Sequence, residues 1–409
     1  SAAQRTRNRH SEGGVLASPS GCAGAARGWP PLGVTRTVGA NPKAPHRTRV
    51  LMASPLPPPL GGISAWTERI LASPLAERVE IEVFDTAPPE KTDVSGASRF
   101  RFDRAWTSLA MLARFRRALR RFKPDVVHVN TSYHWAMLRD GLFVRLAERR
   151  GIPAALHFRG GDFPESVAAA PAPVRRWIRG TLRRASALIA LTDHTRKFLG
   201  TCTDTERVHV LPNFVDVERF RAPDRSARSN EKVEVLYVGW ILPAKGVREL
   251  LEATLAIPPL RLTLIGHVEV EFRRELEATI GQLGDRVTFL DPRPPDELIP
   301  LYEKADIFAL PSWREGFPNV IVEAMAAGLP IVSTPVGAIA DIVRDGTDGL
   351  LVAARDGAAL QRALASLVCD PARRRSLGAA GRERVEALYA REQVLAQLEA
   401  FWRRLAESA

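Results

Sequence analysis

The feature that most constrains the fold of this sequence is a regular alternation of short, continuous apolar runs with longer amphipathic stretches, from residue 49 onward. Continuous apolar strands that alternate with amphipathic helices are typical of a parallel sheet covered by helices on both faces. One polar segment without periodicity, residues 221–232, interrupts the alternation and is typical of a linker between domains. The sequence therefore predicts an α/β chain of two doubly wound parallel-sheet domains.

The apolar runs fix the expected strands of both domains. In the first domain, residues 47–220, the predicted strands are Arg49–Ser54, Glu80–Phe84, Val126–Asn130, Ala154–Phe158, Ala187–Thr192 and Val208–Pro212. In the second domain, residues 233–389, they are Val233–Gly239, Arg261–Ile265, Val287–Leu290, Ile307–Leu310, Ile331–Thr334 and Gly349–Val352. Residues 390–409 are predicted to form a terminal helix that crosses back to the first domain. Ligands of such sheets bind beyond the carboxyl ends of the strands, so two facing domains imply a shared cleft.

The first 46 residues do not continue this pattern. Arg5, Arg7 and Arg9 precede the apolar residues 15–17, an order that superficially resembles a targeting segment. The apolar stretch is short and rich in Gly and Ser, so residues 1–46 are interpreted as a disordered leader, with a targeting segment as the alternative.

The positive charge of the chain is concentrated in two places. The formal net charge is +12, but residues 1–49 and 101–123 each carry eight Lys and Arg against one acid, and the remaining residues hold 42 basic against 44 acidic side chains. A surface built for nucleic acid would spread basic and aromatic residues together over one face. The distribution therefore argues against a nucleic-acid partner.

Cysteine spacing and hydropathy limit the cellular compartments in which this chain is expected. Cys22, Cys202 and Cys369 lie far apart without C-x-x-C spacing, which favours neither a zinc site nor a disulfide framework. No run reaches the ~20 apolar residues of a membrane-spanning helix. We expect a cytoplasmic protein in a reducing compartment.

The segment most informative about chemistry is residues 311–330, PSWREGFPNVIVEAMAAGLP, which follows a predicted strand. Gly316 permits a sharp turn, and Pro318 suits the first turn of a helix. The backbone N–H groups of residues 316, 317 and 319 then form an anion site, reinforced by the helix dipole, that fits a diphosphate. Glu315 and Glu323 flank this helix start, so one carboxylate can meet a sugar hydroxyl and the other a ribose. The alternative is that both are solvated surface charges.

The spacing E-x7-E with G-F-P-N inside it resembles family 4 of the glycosyltransferases, of the GT-B architecture, and the resemblance covers about residues 48–389. It implies two Rossmann-like domains facing across a cleft and retaining transfer of a hexose-type sugar from a nucleotide diphosphate sugar. It also implies that Glu315 contacts the donor sugar, with a catalytic role, and that Glu323 contacts the ribose. The donor-binding residues expected from the motifs are Gly62, Lys245, Glu315, Gly316, Phe317, Asn319 and Glu323.

Two further motifs agree with this resemblance in order and spacing. Residues 237–246, YVGWILPAKG, place Lys245 where a point charge can pair with the leaving diphosphate. Many relatives carry an arginine after the first glycine of this motif, where this chain has Trp240. Residues 54–63, SPLPPPLGGI, resemble the glycine loop of the family, in which Gly62 allows close backbone approach to a phosphate or an acceptor.

No D-x-D motif is present, so no metal and no cofactor are predicted; the nucleotide sugar is a substrate.

A fourth motif, residues 156–163, LHFRGGDF, ends a strand of the first domain. Relatives usually carry a histidine immediately before the first glycine, where this chain has Arg159, and His157 lies two residues earlier. Both residues are catalytic candidates, and which of them orients the acceptor stays open at this point.

A basic amphipathic helix is predicted at residues 106–122, with arginines that include Arg114, Arg117 and Arg121. One interpretation is a crossover helix with a solvated basic face. The other is a surface that contacts the acceptor or an anionic membrane, since each Lys or Arg near such a membrane contributes ~1 kcal/mol.

Taken together, the resemblance implies a hexosyltransferase whose acceptor is a saccharide or lipid-linked and which acts in surface polysaccharide or glycoconjugate synthesis. With the basic helix, it leads us to expect action at the inner face of the cell membrane. Two alternatives remain open: a nucleotide-sugar epimerase on the same fold, and a non-catalytic scaffold that kept the architecture.

Overall fold

A computed structural model describes residues 36–38, 47–57, 62–87, 103–132, 135–160, 163–223 and 231–408. The strands of these residues are β1 Arg36–Val38, β2 Arg49–Ser54, β3 Glu80–Asp85, β4 Val126–Thr131, β5 Ala154–Phe158, β6 Ala187–Ala190, β7 Val208–Val210, β8 Val233–Val238, β9 Leu260–Ile265, β10 Val287–Leu290, β11 Ile307–Leu310, β12 Ile331–Ser333 and β13 Gly349–Leu351. The helices are α1 Gly62–Leu71, α2 Leu75–Arg78, α3 Asp103–Phe122, α4 Trp135–Glu148, α5 Phe163–Ala169, α6 Ala172–Arg184, α7 Asp193–Gly200, α8 Val247–Ala256, α9 Val270–Leu283, α10 Pro295–Lys304, α11 Asn319–Ala326, α12 Ile339–Ile342, α13 Gly357–Cys369, α14 Pro371–Leu388 and α15 Arg391–Glu407.

The strands form two sheets, one in each half of the chain. The first has the order β1-β3-β2-β4-β5-β6-β7 and the second β10-β9-β8-β11-β12-β13. Every pairing in both sheets is parallel except that of β1 with β3. The predicted α/β class with two doubly wound parallel sheets is confirmed, and the predicted strands differ from the observed ones only at their ends.

The central strands are buried, as expected for parallel strands in the middle of each domain. All six residues of β4 and all four of β11 are buried, as expected for strands with helices on both faces. One apolar cluster fills the second domain, and two clusters fill the opposite faces of the first sheet. Leu51 belongs to one face of β2, and Val50 and Met52 to the other, as the period of two requires.

The chain crosses between the two domains twice, and the crossings are hydrogen-bonded to each other. The backbone N–H of Val215 donates to the carbonyl of Tyr389 at 2.9 Å, and that of Arg391 donates to the carbonyl of Val215 at 2.9 Å. The Arg391 guanidinium also pairs with the Asp216 carboxylate. Backbone pairing at this point ties the connection after β7 to the start of α15.

The terminal helix α15 packs on the first domain, although it follows the second in sequence. Leu398 and Trp402 are fully buried in the same cluster as Val50 and Met52 of β2. The Trp402 indole Nε1 donates to Nδ1 of His128 in β4 at 3.1 Å. The helix therefore completes one face of the first sheet.

Parts of the segments predicted as leader and linker are described. Within residues 1–46, Arg36–Val38 add an antiparallel strand to the edge of β3, and the rest of that segment lies outside the described residues. Residues 224–230 of the linker also lie outside them. Among the described residues, no helix is both long enough and apolar enough to cross a membrane.

Candidate active site

The candidate site lies at the carboxyl edge of the second sheet, between β8 and β11. The chain builds β8, β9 and β10 toward one side, then returns to add β11, β12 and β13 on the other side. Such a reversal of strand order opens a crevice beyond the strand ends, which is where doubly wound sheets bind ligands. The loops after β8 and β11 carry Lys245 and Glu315, so topology brings these two predicted site residues together.

Lys245 and Glu315 form an ion pair in this crevice. The Lys245 Nζ lies 2.6 Å from Glu315 Oε1, and the side chains are only 23% and 12% exposed. The Ser312 hydroxyl donates to the same Glu315 oxygen at 2.8 Å. Burial together with the Glu315 charge raises the pKa of the neighbouring Tyr237 phenol well above its usual value, so this hydroxyl stays protonated. The site thus holds one cation and one carboxylate that neutralise each other.

The loop after β12 holds the backbone of residues 315–316 from the other side. The N–H of Ala338 donates to the Gly316 carbonyl at 3.0 Å. Gly337 has φ +57°, and a Cβ there would stand 2.0 Å from the Glu315 carbonyl oxygen. Only glycine fits such a contact at this backbone conformation, so residue 337 keeps the loop against Glu315.

The start of α11 differs by one residue from the prediction. Pro318 was expected inside the first helical turn, but it is the N-cap, with φ −77° and ψ 97°, and the helix begins at Asn319. Because the backbone of Pro318 is extended, it lies outside the first helical turn, and the helix starts at Asn319. The dipole of α11 still directs its positive end at the crevice.

The side chain of Asn319 contacts the first domain. Asn213, just after β7, donates through Nδ2 to Asn319 Oδ1 at 2.7 Å, and its own Oδ1 accepts from Arg159 Nη2 at 2.6 Å. An amide suits this position because it offers a donor and an acceptor side by side. Arg159 at the end of β5 is thereby linked to the helix start in the other domain.

Glu323 is buried at 8% exposure, and both of its carboxylate oxygens are engaged. Arg69 of α1 lies 3.3 Å from Oε1, and the Tyr302 hydroxyl donates to Oε2 at 3.1 Å. The predicted ribose contact therefore requires a hydroxyl to share this carboxylate with Arg69 or Tyr302, or to displace one of them. The alternative of a solvated surface charge does not fit this burial.

His157 and Arg159 lie in very different surroundings. His157 is fully buried in β5, beneath the Trp66 indole, whereas Arg159 is partly exposed and stacks on that indole at 4.2 Å. Burial, with the charge of Arg159, lowers the pKa of His157 well below its usual value. Burial lowers the pKa of Arg159 to about 9, so it remains a cation at neutral pH. Of the two candidates, only Arg159 reaches the cleft.

A row of side chains supports Arg159 from inside the domain. His157 Nε2 lies 3.2 Å from Arg159 Nη1, and His157 Nδ1 lies 3.3 Å from His128 Nε2. Trp402 at one end and Arg159 at the other can only donate, and each neutral imidazole carries one N–H. The three N to N contacts of this row therefore cannot all be hydrogen bonds at once, whereas the bond from Arg159 to Asn213 does not depend on the histidine tautomers.

The remaining predicted residues lie elsewhere. Gly62 is the first residue of α1, and a Cβ there would meet nothing within 4 Å; residues 58–61 of its loop lie outside the described residues. On α3, Arg121 pairs with Glu82 at 2.5 Å, and the Arg114 guanidinium stacks on Phe84 at 5.6 Å. Arg117 is exposed beside a groove of about 590 Å³ between α3 and α4.

Sequence comparisons agree with this geometry. The profile described as Glycosyl transferases group 1 matches residues 218–384, and that of Glycosyltransferase Family 4 matches residues 60–219. The chain belongs to the family 4 glycosyltransferases. Relatives are named D-inositol 3-phosphate glycosyltransferase. The one from Geodermatophilus obscurus is 32% identical over 69% of this chain and 67% of its own length. The one from Nocardia farcinica is 31% identical over 62% and 61%.

Solved structures show the same fold. Sucrose-phosphate synthase from Thermosynechococcus elongatus superposes with a TM-score of 0.70 at 21% identity, over 89% of this chain and all of its own. Anabaena HepE in complex with UDP gives 0.68 at 18% identity, over 87% of this chain and all of its own. At these identities the likeness concerns the architecture, and it confirms the predicted GT-B fold.

Three residues that contribute to the site were not identified from the sequence. Asn213 and Arg69 bridge the domains, and Gly337 holds the Glu315 loop. An amide three residues after the last strand of the first domain and a glycine four residues after β12 were available signals. Arg69 offered none, because it is one arginine among many on helix faces.

No metal site accompanies these residues in the part of the chain that the structure describes. No group of three or more His, Cys, Asp and Glu side chains there is arranged to hold an ion.

The buried histidine row predicts a pH-dependent stability. Burial and the Arg159 charge lower the pKa of His128 from 6.5 to about 3. Between these two pH values the unfolded chain binds more protons than the folded protein. The free energy of unfolding is therefore not reduced by this histidine above about pH 6.5, and it falls by roughly 1.4 kcal/mol for each pH unit below that value. The pKa of His157 is shifted in the same direction and adds to the loss.

Urea unfolding of the wild type and of His128→Asn, at several pH values between 7.5 and 5, measures this effect. The asparagine keeps an acceptor for Trp402 but does not titrate, so the variant should lose less stability per pH unit. Equal pH slopes for the two proteins would show that His128 is not the titrating group.

Proposed function

We propose that the protein is a retaining hexosyltransferase that takes its sugar from a nucleotide diphosphate sugar and passes it to a saccharide or lipid-linked acceptor in surface-glycan synthesis. The observation that carries the proposal is the Lys245–Glu315 pair, 2.6 Å apart, at the reversal of strand order and beside the start of α11. One cation, one carboxylate and a helix N-terminus are what a diphosphate joined to a sugar requires.

The donor diphosphate would bind Lys245 and the backbone N–H groups of residues 316, 317 and 319. The ammonium and the positive end of the α11 dipole both favour negative charge, and that charge grows on the diphosphate as the glycosidic bond breaks. Interactions that strengthen in the transition state accelerate the reaction. This charge stabilisation is supplied by the protein itself, so we propose that no metal ion is needed.

Glu315 would change partners when the donor binds. In the free protein it neutralises Lys245 and accepts from Ser312. The diphosphate would compete for the ammonium, leaving the Glu315 carboxylate to accept hydrogen bonds from hydroxyls of the donor sugar. The ion pair would therefore hold both side chains in position until the diphosphate takes the place of Glu315 beside Lys245 and the sugar hydroxyls take the place of Lys245 beside Glu315.

Arg159 would face the reacting groups from the first domain. It is partly exposed, its guanidinium is fixed by Asn213, and that amide also contacts the start of α11. His157 is buried behind it, so we assign His157 to positioning and Arg159 to direct contact. Phosphorylated polyols are included among the acceptors to be tested, because relatives are named for D-inositol 3-phosphate and Arg159 would suit an acceptor phosphate.

The first domain also presents a basic groove that fits an anionic membrane surface. Five arginines, of residues 116, 117, 120, 145 and 149, line the groove between α3 and α4. Leu109 of α3 is 59% exposed and lies on the same helix. We propose peripheral membrane contact here, which would bring a lipid-linked acceptor to the cleft.

Removal of the Lys245 charge is predicted to weaken donor binding, and removal of the Glu315 charge to strengthen binding of the nucleoside diphosphate. Calorimetry with UDP-, GDP- and ADP-sugars, without metal, should find one donor that binds. Lys245→Ala should lose about 2–5 kcal/mol of binding free energy, as when one member of a buried charge pair is removed. Glu315→Gln should bind the nucleoside diphosphate more tightly than the wild type, because Lys245 then has no competing carboxylate.

Lys197→Ala is the matched control, since its side chain is 75% exposed on α7. A folded wild-type protein that binds none of the donors would contradict the proposed function and favour the scaffold alternative. A Lys245→Ala variant with wild-type affinity would remove Lys245 from the diphosphate site.

Turnover is predicted to require an acceptor. Release of nucleoside diphosphate should rise when saccharide, lipid-linked or polyol phosphate acceptors are added, and should continue in the presence of EDTA. Proton NMR of the product should show the anomeric configuration of the donor. Conversion of the donor sugar to an isomer without acceptor would favour the epimerase, and inversion at the anomeric carbon would exclude retention.

Membrane contact is predicted to depend on the α3 face of the groove. The protein should sediment with vesicles that contain phosphatidylglycerol and not with phosphatidylcholine alone. The double change Arg117→Gln and Arg120→Gln should weaken binding by about 1 kcal/mol for each charge removed. Arg362→Gln with Arg373→Gln, exposed in the second domain, is the control. Equal effects of both pairs, or binding insensitive to salt, would contradict this surface.

A further inference from the structure

Arg355 has a backbone conformation that is unfavourable for an arginine. Its φ is +66°, and in the described part of the chain it shares a positive φ with one other non-glycine residue, Lys123. Residues 353–356 form a turn, closed by the Asp356 N–H that donates to the Ala353 carbonyl at 3.2 Å, and Arg355 is its third residue. Glycine or asparagine is favoured where the third residue of a turn has positive φ. The chain therefore keeps an arginine where the backbone favours glycine.

The elements on both sides hold this turn in place. Before it, the Val352 N–H donates to the Ser333 carbonyl of β12 at 2.8 Å. After it, Asp356 is the N-cap of α13, and its side chain accepts from the Ala359 N–H at 2.8 Å. Because β13 is parallel to the other strands of its sheet, the turn that follows it lies at the same carboxyl edge as the candidate site. The surroundings thus impose the unfavourable φ of Arg355, which is the condition under which such a conformation persists.

The side chain of Arg355 covers the indole of Trp313. The guanidinium carbon Cζ lies 4.4 Å from the centroid of the Trp313 ring. The negative face of an aromatic ring attracts a cation, and indole does so more strongly than the other aromatic side chains. Arg355 is exposed and Trp313 is half-buried, so the guanidinium lies on the outer side of the ring. A glycine in this turn would relieve the backbone but could not make this contact.

Trp313 is held by three elements around the candidate site. Its backbone N–H donates at 2.9 Å to the carbonyl of Ala244, the residue directly before Lys245. Its indole Nε1 donates at 3.1 Å to Glu249 Oε1 in the first turn of α8. The Arg355 guanidinium holds its ring from the turn after β13. We call Arg355, Trp313 and Glu249 the clamp.

The clamp acts on the loop that carries Glu315. Trp313 precedes Glu315 by two residues, and its neighbour Ser312 donates to the Glu315 carboxylate at 2.8 Å. A displacement of Trp313 would therefore move both the carboxylate and the hydroxyl that orients it.

We infer that Arg355 is a positioning residue of the transfer reaction: it holds Trp313, and thereby fixes the Glu315 carboxylate toward the donor sugar. The inference rests on the proposed function, because it concerns the sugar contact of that site. It explains why an unfavourable arginine is kept in a turn that suits glycine, since the clamp needs a cation at this point.

A double-mutant cycle on kcat/KM for the donor tests this inference. The four proteins are the wild type, Arg355→Gly, Glu315→Gln and the double variant. Arg355→Gly should lower kcat/KM by up to about 100-fold, because a small displacement of a group at the reacting centre can cost that much. In the Glu315→Gln background the same change should have little further effect, because Arg355 acts through that carboxylate.

Calorimetry and thermal unfolding separate positioning from general damage. Arg355→Gly should bind the nucleotide sugar more weakly than the wild type and bind its nucleoside diphosphate, which lacks the sugar, equally well. Its melting temperature should stay within about 2–4 °C of the wild type, because relief of the positive φ offsets the lost stacking. If Arg355→Gly does not fold, Arg355→Asn takes its place, since asparagine also tolerates positive φ.

Two further variants serve as controls. Arg355→Lys keeps a cation over the ring and should retain more of kcat/KM than Arg355→Gly. Lys123→Gly introduces a glycine at the other positive φ, in the first domain, and should leave kcat/KM and donor affinity unchanged.

Three results would overturn the inference alone: wild-type kcat/KM in Arg355→Gly, a full additional loss when it is combined with Glu315→Gln, or equal losses of affinity for the nucleotide sugar and the nucleoside diphosphate. The second would mean that Arg355 acts independently of Glu315, and the third that it acts on the diphosphate site. A wild-type protein that neither binds nor turns over a nucleotide sugar would overturn the proposed function and this inference together.

Discussion

The parallel direction of the strands is the constraint on which the rest of the molecule depends. Parallel strands end at one edge of the sheet, so the loops after β8 and β11 meet although about seventy residues separate Lys245 from Glu315 in sequence. The reversal of strand order opens the crevice between β8 and β11, the two strands that these loops follow, and the buried backbone of β11 holds the crevice in place. The ion pair and the α11 helix start both follow from strand ends that emerge side by side.

A second constraint comes from the two crossings between the domains. The connection after β7 and the start of α15 pair through Val215, and α15 then completes the core of the first domain with Leu398 and Trp402. Because Asn213 precedes Val215 by two residues, the same connection places an amide between Arg159 and Asn319. The first domain is thus not an independent wall of the cleft, because Asn213 contacts its Arg159 and Val215 pairs with the chain that leads into α15 of its core.

The sequence allowed the fold to be predicted because periodicity and strand length are local properties. Continuous apolar runs such as that of β11 and the polar linker identified two doubly wound domains, and motif spacing brought Lys245, Glu315 and the α11 start into one hypothesis. What could not be predicted depends on contacts between distant segments. The burial of His157 beneath Trp66, the bond from Asn213 to Asn319 and the engagement of Glu323 by Arg69 each join residues whose separation in sequence carries no signal.

The amide of Asn213 shows how one side chain can act on both walls of the cleft. Its Oδ1 accepts from Arg159 of the first domain, and its Nδ2 donates to Asn319 of the second. Asn319 is the first residue of α11, where the helix dipole has its positive end. The orientation of the Arg159 guanidinium and the position of this helix start therefore depend on the same side chain, although neither residue is near Asn213 in sequence.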